Sequence, residues 1–289
     1  MTPWQRARAR FLANRGAIVG AALVGVIVLV AILGPWIAGD PLAPDIERGL
    51  SRLGAPLGPR AGAWLGSDQL GRDVWARIAG GASLSLQVAT VATAIAMTLG
   101  LAIGLVAGYA GGLVDKLLMR FVDLVLAFPF LLLALLLAAL LREANLSSAN
   151  APVFITLGVV SWTTMARVIR GKVLTLREQE FVQAARAIGA RPSRILIRHI
   201  LPNVVGVVIV LVTLTFAQMI LAESVLSYVG LGPPPPAPTW GRMLAEGQTY
   251  YRTAPWLIVA PGVAILIAVV GFNLLGEGLR DALDPKERR

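Results

Sequence analysis

This chain of 289 residues contains no cysteine. A disulfide framework, a thiolate metal site and a cysteine nucleophile are therefore excluded together. Histidine is almost as scarce: His199 stands alone, so no histidine cluster can hold a metal. Charge is thin as well. Only 15% of the residues are Asp, Glu, Lys or Arg, against about 25% in soluble domains. Acids are the rarer sign, 16 against 26 bases, which leaves a net charge of +10. Catalytic signatures are also missing. The "RGKVL" at 170–174 lacks the upstream glycine and the Ser/Thr of a G-x-x-x-x-G-K-[ST] phosphate loop. Neither H-E-x-x-H nor G-x-S-x-G occurs, so a membrane hydrolase has no visible catalytic set. No catalytic residue, no metal ligand and no cofactor are assigned to this chain.

Apolar residues dominate, at 56% with a mean hydropathy of +0.73. A hydrocarbon core about 30 Å thick takes roughly 20 apolar residues of helix. Six segments reach that length: 17–38, 84–109, 121–141, 153–170, 203–222 and 256–276. The expected class is an all-α polytopic membrane protein with six transmembrane helices. The first apolar run is too long for a signal peptide and no A-x-A site follows, so it reads as a retained helix. Pro129 in "LAFPFLL" removes a backbone donor and is expected to kink the third span. Asn273 in the sixth is a candidate for interhelical hydrogen bonding.

Orientation follows from the bases. With the N-terminus inside, the cytoplasmic side receives Arg6, Arg8, Arg10, Arg15, Lys116, Arg120, the segment 171–202, Arg280, Lys286, Arg288 and Arg289. Short outer loops hold only Arg142, Arg242 and Arg252. Both termini are therefore expected in the cytoplasm. The net charge records orientation in the lipid bilayer and does not call for nucleic acid. The segments are a cytoplasmic stretch 1–16, a first helix 17–38, a long outer loop 39–82, a core 83–277 and a cytoplasmic tail 278–289. Within the spans, Asp123, Arg167 and Glu223 read as helix-end charges reaching toward the interface.

Between the fourth and fifth spans lies "FVQAARAIGARPSRILIRHILPN", Phe181 to Asn203, which carries four arginines and no acid. Phe181, Ala184, Ala185 and Ile188 recur at helical spacing and make one apolar face beside Arg186. Gly189 suits the left-handed position that ends a helix, and Pro192 the first turn of the next. Ile195 to Leu201 forms that second short helix, and Pro202 opens the fifth span. A helix, a glycine turn and a second helix make a docking knob, with a lipid-anchored basic loop as the plainer alternative.

This segment resembles the cytoplasmic coupling motif of ABC-importer permeases: Glu-Ala-Ala, three residues, Gly, nine residues, then Ile-x-Leu-Pro. Here the matching positions are Gln183, Ala184, Ala185, Gly189, His199, Leu201 and Pro202, with Gln in place of Glu and His in place of Ile. Three further blocks are similar to the C-type permease subunit of dipeptide, oligopeptide and nickel importers: "WLGSDQLGRDVWARIAGGASLSL", "ESVLSYVGLGPPPPAPTWGRML" and "NLLGEGLRDALDP". They stand in order along nearly the whole chain. The resemblance implies a type I importer in the bacterial cytoplasmic (inner) membrane. Its partners would be a second, B-type permease, two ATPase subunits that hold ATP and Mg, and an extracytoplasmic solute-binding protein. It also implies a peripheral first helix, and an insert seated on an ATPase.

Physical reading of the other blocks adds detail. Asp68, Arg72 and Asp73 are expected to form a local ion-pair and capping network that fixes the approach to span two. Pro233 to Pro236 is expected to form a polyproline II strut. The segment from Gly276 to Pro285 reads as a short amphipathic end along the inner surface. A self-sufficient secondary carrier is disfavoured by the lack of internal symmetry and of midplane charge. Among importer substrates, peptides are preferred over nickel or another small solute.

Overall fold

The computed structural model of the chain describes residues 3–143 and 148–283. Its described residues fold into helices α1 (Pro3–Ala13), α2 (Arg15–Ile37), α3 (Ile46–Gly49), α4 (Val74–Ala110), α5 (Gly112–Leu126) and α6 (Phe130–Glu143). Then come α7 (Ala151–Arg177), α8 (Glu180–Ala187), α9 (Pro192–Ile195), α10 (Leu201–Tyr228), α11 (Trp240–Gly247) and α12 (Trp256–Leu283). Among these residues, α2, α4, α7, α10 with its lead-in, and α12 are long and apolar enough to cross a membrane. The pair α5–α6 makes a sixth span if it counts as one bent helix.

Several boundaries differ from the sequence reading, each for a local reason. The third span is broken rather than kinked: α5 and α6 meet at 89°. Pro129 offers no N–H and disfavours helical backbone at Phe128, so the first helix stops. The second begins where the Pro129 carbonyl accepts from Leu133 N, 3.0 Å away. Helix α4 begins at Val74, ahead of the loop boundary expected at residue 82, because the Asp73 carboxylate accepts from Trp75 N at 2.9 Å and caps it there. The fourth span runs on to Arg177.

The second arm of the insert is not a separate helix, since 192–228 form one continuous rod. Residues Leu196–Ile200 widen into a π-helical turn just ahead of Pro202. That widening accommodates the proline ring against the preceding turn, and Asn203 Nδ2 donates to the His199 carbonyl at 2.7 Å. The expected amphipathic end is simply the last part of α12, which reaches Leu283. Asp284 to Arg289 lie outside the described residues. At 233–236 there is no straight strut; the Pro234 carbonyl accepts from Ala237 N and closes a turn.

Small residues set the packing. On α4, Gly100, Gly104 and Gly108 stand one turn apart and lie against the backbone of α7. A Cβ on Gly104 would sit 2.7 Å from the Ala166 carbonyl oxygen, and one on Gly108 would sit 2.9 Å from that of Arg170. Only glycine permits this approach, and close backbone contact is what holds helices together in lipid. Helix α2 packs on α12 in the same way, with Gly278 against Ala17. The opposite face of α2 is exposed through Ile18, Val26, Leu29 and Ile32, and α12 exposes Val259, Val263, Leu266 and Val270. Such wholly apolar outer walls suit contact with acyl chains.

The bundle has two unlike ends. One carries α1, the insert and the last turns of α12, where Asn14 Nδ2 donates to Asp281 Oδ2 at 3.0 Å. We call this the basic end. The other carries residues 38–73, the turn after α10, and α11. We call this the loop end.

Candidate functional site

The insert at the basic end is built around one hydrophobic anchor. Val182, Ala185, Ile195 and Ile200 are buried and join Val173, Leu176 and Val204 in one cluster. Burial of a Val or Ile side chain contributes about 1.5–3 kcal/mol, enough to fix the orientation of α8 against α10. Helical spacing puts Phe181, Ala184, Ala185 and Ile188 on one apolar face beside Arg186. In the structure Ala185 turns inward with Val182, whereas Phe181, Ala184 and Ile188 turn out. Phe181 is 41% exposed and Ile188 86%. The reason is amphipathic period: helical spacing identifies a face but does not say which of two neighbouring apolar stripes meets the core.

The glycine turn is a Schellman cap. Gly189 has φ of +77°, its N–H donates to the Arg186 carbonyl at 2.9 Å, and Ala190 N donates to the Ala185 carbonyl at 3.0 Å. Gln183 is uncharged and acts through a hydrogen bond. Its Nε2 donates to the Glu178 carbonyl at 3.2 Å and secures the bend between α7 and α8. His199 and Leu201 are half-buried in and after the π-helical turn, and Pro202 is exposed. Arg186 lies over the Tyr109 ring, 5.3 Å from its centre, and so ties α8 to the last turn of α4. Arg191 and Arg194 are exposed, and neither they nor Arg198 form an ion pair with a described residue.

At the loop end the charges are arranged in the opposite way. Asp68 Oδ1 accepts from Leu70 N and Arg72 N at 2.8 and 3.0 Å, while Oδ2 accepts from Arg72 Nε and Arg77 Nη1, both at 2.6 Å. Glu246 Oε2 on α11 accepts from Arg77 Nη1 at 2.8 Å, Arg72 Nη2 at 3.3 Å and Gln69 Nε2 at 3.2 Å. Asp68 and Arg77 are almost wholly buried. The network therefore clamps residues 67–77 to α11. Arg77 and Glu246, its two further charged members, are far apart in the chain, and nothing local in the sequence pairs them. Asp73 takes no part in the ion pairs; burial raises its pKa, opposed by the Trp75 N–H and by Arg60.

The four remaining candidates are each placed differently. Glu223 is not a helix-end charge reaching for the interface. It is fully buried, and its carboxylate accepts from Ser85 Oγ at 3.0 Å and Ser227 Oγ at 2.5 Å. Asp123 does meet Arg167, Oδ1 to Nη2 at 2.8 Å, and both side chains stay about half exposed. Asn273 is half-buried on α12 and makes no interhelical hydrogen bond with the described residues. Pro129 lies in the break between α5 and α6 described above.

Comparison with known proteins places this geometry in context. Residues 100–289 match the family model described as "Binding-protein-dependent transport system inner membrane component", and residues 2–53 match that of the "N-terminal TM domain of oligopeptide transport permease C". The chain is 41% identical to the dipeptide transport system permease protein DppC of Alkalihalophilus pseudofirmus, over 99% of this chain and 91% of that protein. It is 41% identical to the oligopeptide transport system permease protein OppC of Escherichia coli K12, with 99% and 92% covered. To the glutathione transport system permease protein GsiD of Shigella flexneri it is 43% identical, with 99% and 91% covered. Among solved structures, an inward-facing MetNI methionine ABC transporter chain superposes with a TM-score of 0.60 at 18% identity, covering 73% of this chain and 97% of that one. An amino acid ABC transporter chain gives 0.52 at 19%, with 71% and 93% covered.

Proposed function

Because the chain belongs to the family of binding-protein-dependent transport system inner membrane components, we propose that it is a permease subunit of an ATP-driven importer of peptides. In this reading it sits in the bacterial cytoplasmic membrane with the basic end, both termini included, on the cytoplasmic side. A second permease of the same family completes the passage. Two ATPase subunits bind ATP and Mg, since this chain has no phosphate loop of its own. A solute-binding protein delivers the peptide at the loop end. The preference for peptides over nickel rests on the relatives named for dipeptide, oligopeptide and glutathione transport.

One observation supports the coupling role above the rest. The insert is anchored from within by Val182, Ala185, Ile195 and Ile200, yet leaves Phe181, Ala184 and Ile188 uncovered beside arginines that pair with no acid among the described residues. A rigid base with an apolar, basic crown suits a groove on another protein. Nucleotide-driven closure of the ATPases would then move α8, and through it α7 and α10. The test is reconstitution of the complete complex with an Ile188→Asp variant. Expected are normal insertion, loss of ATPase co-purification and loss of peptide uptake. Wild-type uptake by that variant would remove the insert from the coupling role.

A further inference from the structure

The outer walls of α2 and α12 are apolar, but the face at the break between α5 and α6 is not. Where the break between α5 and α6 faces α7 and α10, a cavity of about 450 Å³ opens. Phe128, Leu131 and Met219 line it together with Ser161, Thr164 and Gln218. Thr164 is the middle residue of α7. Gln218 stands about 15 Å from the loop end of α10, at 1.5 Å per residue. Both are therefore at membrane depth and both are exposed. Neither side chain is hydrogen-bonded to a described residue, while Ser161 Oγ donates to the Leu157 carbonyl and keeps its acceptor capacity.

One helical turn along α7 toward the basic end lies Arg167, paired with Asp123 of α5. A half-exposed ion pair at this depth is costly against hydrocarbon, and such groups face water or protein instead. The cavity lining is uncharged but hydrogen-bonding, and the ion pair stands just beyond it toward the basic end. An extended peptide presents a donor and an acceptor at every residue, and its side chains vary. Uncharged amide- and hydroxyl-bearing groups among apolar ones recognise the invariant part and tolerate the rest.

We infer that this cavity is the chain's half of the peptide passage, with Thr164, Gln218 and Ser161 meeting backbone amides and the Asp123–Arg167 pair closing its inner end. The inference rests on the importer reading and adds the residues of the route to it. Exposed ion pairs contribute little net stability, so this one can part and re-form in each cycle. That suits a latch and would not suit a structural anchor.

The absence of cysteine makes the test clean for this chain. Thr164→Cys, Gln218→Cys and, as a lipid-facing control, Leu266→Cys are placed singly in the complete complex, with its binding protein, in proteoliposomes. A charged, membrane-impermeant thiosulfonate reagent is applied without nucleotide, with ATP, and with ATP and vanadate, and this chain is resolved by gel. Labelling at 164 and 218 but not at 266 in at least one state is expected, with trialanine slowing it. No labelling at 164 and 218 in any state overturns the passage, and labelling that imported trialanine leaves unchanged overturns the amide contacts. A wild-type complex that imports no small peptide sinks the importer's substrate while leaving the labelling pattern to stand or fall by itself.

The latch is tested by charge reversal in the same vesicles. Asp123→Arg is expected to raise ATP-independent trialanine leak severalfold, and adding Arg167→Asp to restore it. A leak unchanged by the single reversal, or unrestored by the double swap in a complex that assembles normally, overturns the latch.

Discussion

Arg77 in the first turn of α4 and Arg186 beside its last turn live in contrasting surroundings. Arg77 is sealed from solvent and shares two carboxylates, Asp68 and Glu246, with Arg72. Arg186 rests on an aromatic ring at the surface, and its neighbours Arg191 and Arg194 are open to whatever approaches. The difference separates two uses of charge. Inside a mutual network, charge fixes the position of a loop that has little hydrophobic core. Left without an acid among the described residues, beside exposed Phe181 and Ile188, it stays available to the partner proposed for the insert.

The sharpest way to break this contrast is at Asp68. Asp68→Ala leaves two buried guanidiniums with Glu246 alone, and removal of one member of a buried pair costs about 3–5 kcal/mol. Folded protein in the membrane should fall steeply, with uptake falling in proportion, as measured by quantitative blotting beside transport. Uptake lost at normal abundance would instead give the network a direct part in transport.

Next in size is Gly189→Val. Open space surrounds this glycine, so the cost arises from the backbone: φ of +77° is strained for a β-branched residue, by about 1–2 kcal/mol. Uptake should be lost while the subunit still inserts and the ATPases still turn over. Gly189→Asn, which tolerates left-handed backbone, should keep much of the transport. Equal loss in both variants would mean that the open space matters more than the turn.

The smallest effects are expected at Asp73. Asp73→Ala removes the cap of α4 and should cost about 1 kcal/mol, seen as a lower unfolding temperature in detergent. Asp73→Asn keeps the cap and should be close to neutral. Burial raises the Asp73 pKa, so its ionised form is less favourable folded than unfolded. The stability this disfavours is lost as pH rises from the unfolded value through the folded one. Above that window the Asn variant should match the wild type or exceed it, and a marked loss there would show the charge itself to be needed.

Much of this was legible in the chain itself. Long apolar runs located the spans because the hydrocarbon thickness demands them, and Gly189 marked its turn because few other residues tolerate that backbone. Asp68 and Arg72 could be paired on sight, being four residues apart. The partner Glu246 could not, because 169 residues separate it from Arg77 and only the fold brings them together. The orientation of α8 was also hidden: Phe181 and Val182 are adjacent, both apolar, and only the position of Ile195 and Ile200 decides which is covered. Pro129 announced a disturbance, but its size depends on the helices packed around it. Gly100, Gly104 and Gly108 were readable as a repeated G-x-x-x-G, a signal that the run of apolar residues around them obscured.

That glycine seam has a mechanical consequence. Along it the α4 backbone, with no side chain of its own, meets the carbonyls of α7 and the first side-chain atoms of Met165, Ile169 and Val173, which leaves little room to absorb a displacement. Helices α4 and α7 must therefore tilt together as a single beam about 55 Å long, at 1.5 Å per residue over the length of α4. One tip of the beam is bolted to α11 through Arg77 and the other lies under Arg186. A push delivered at one tip would therefore be felt at the other.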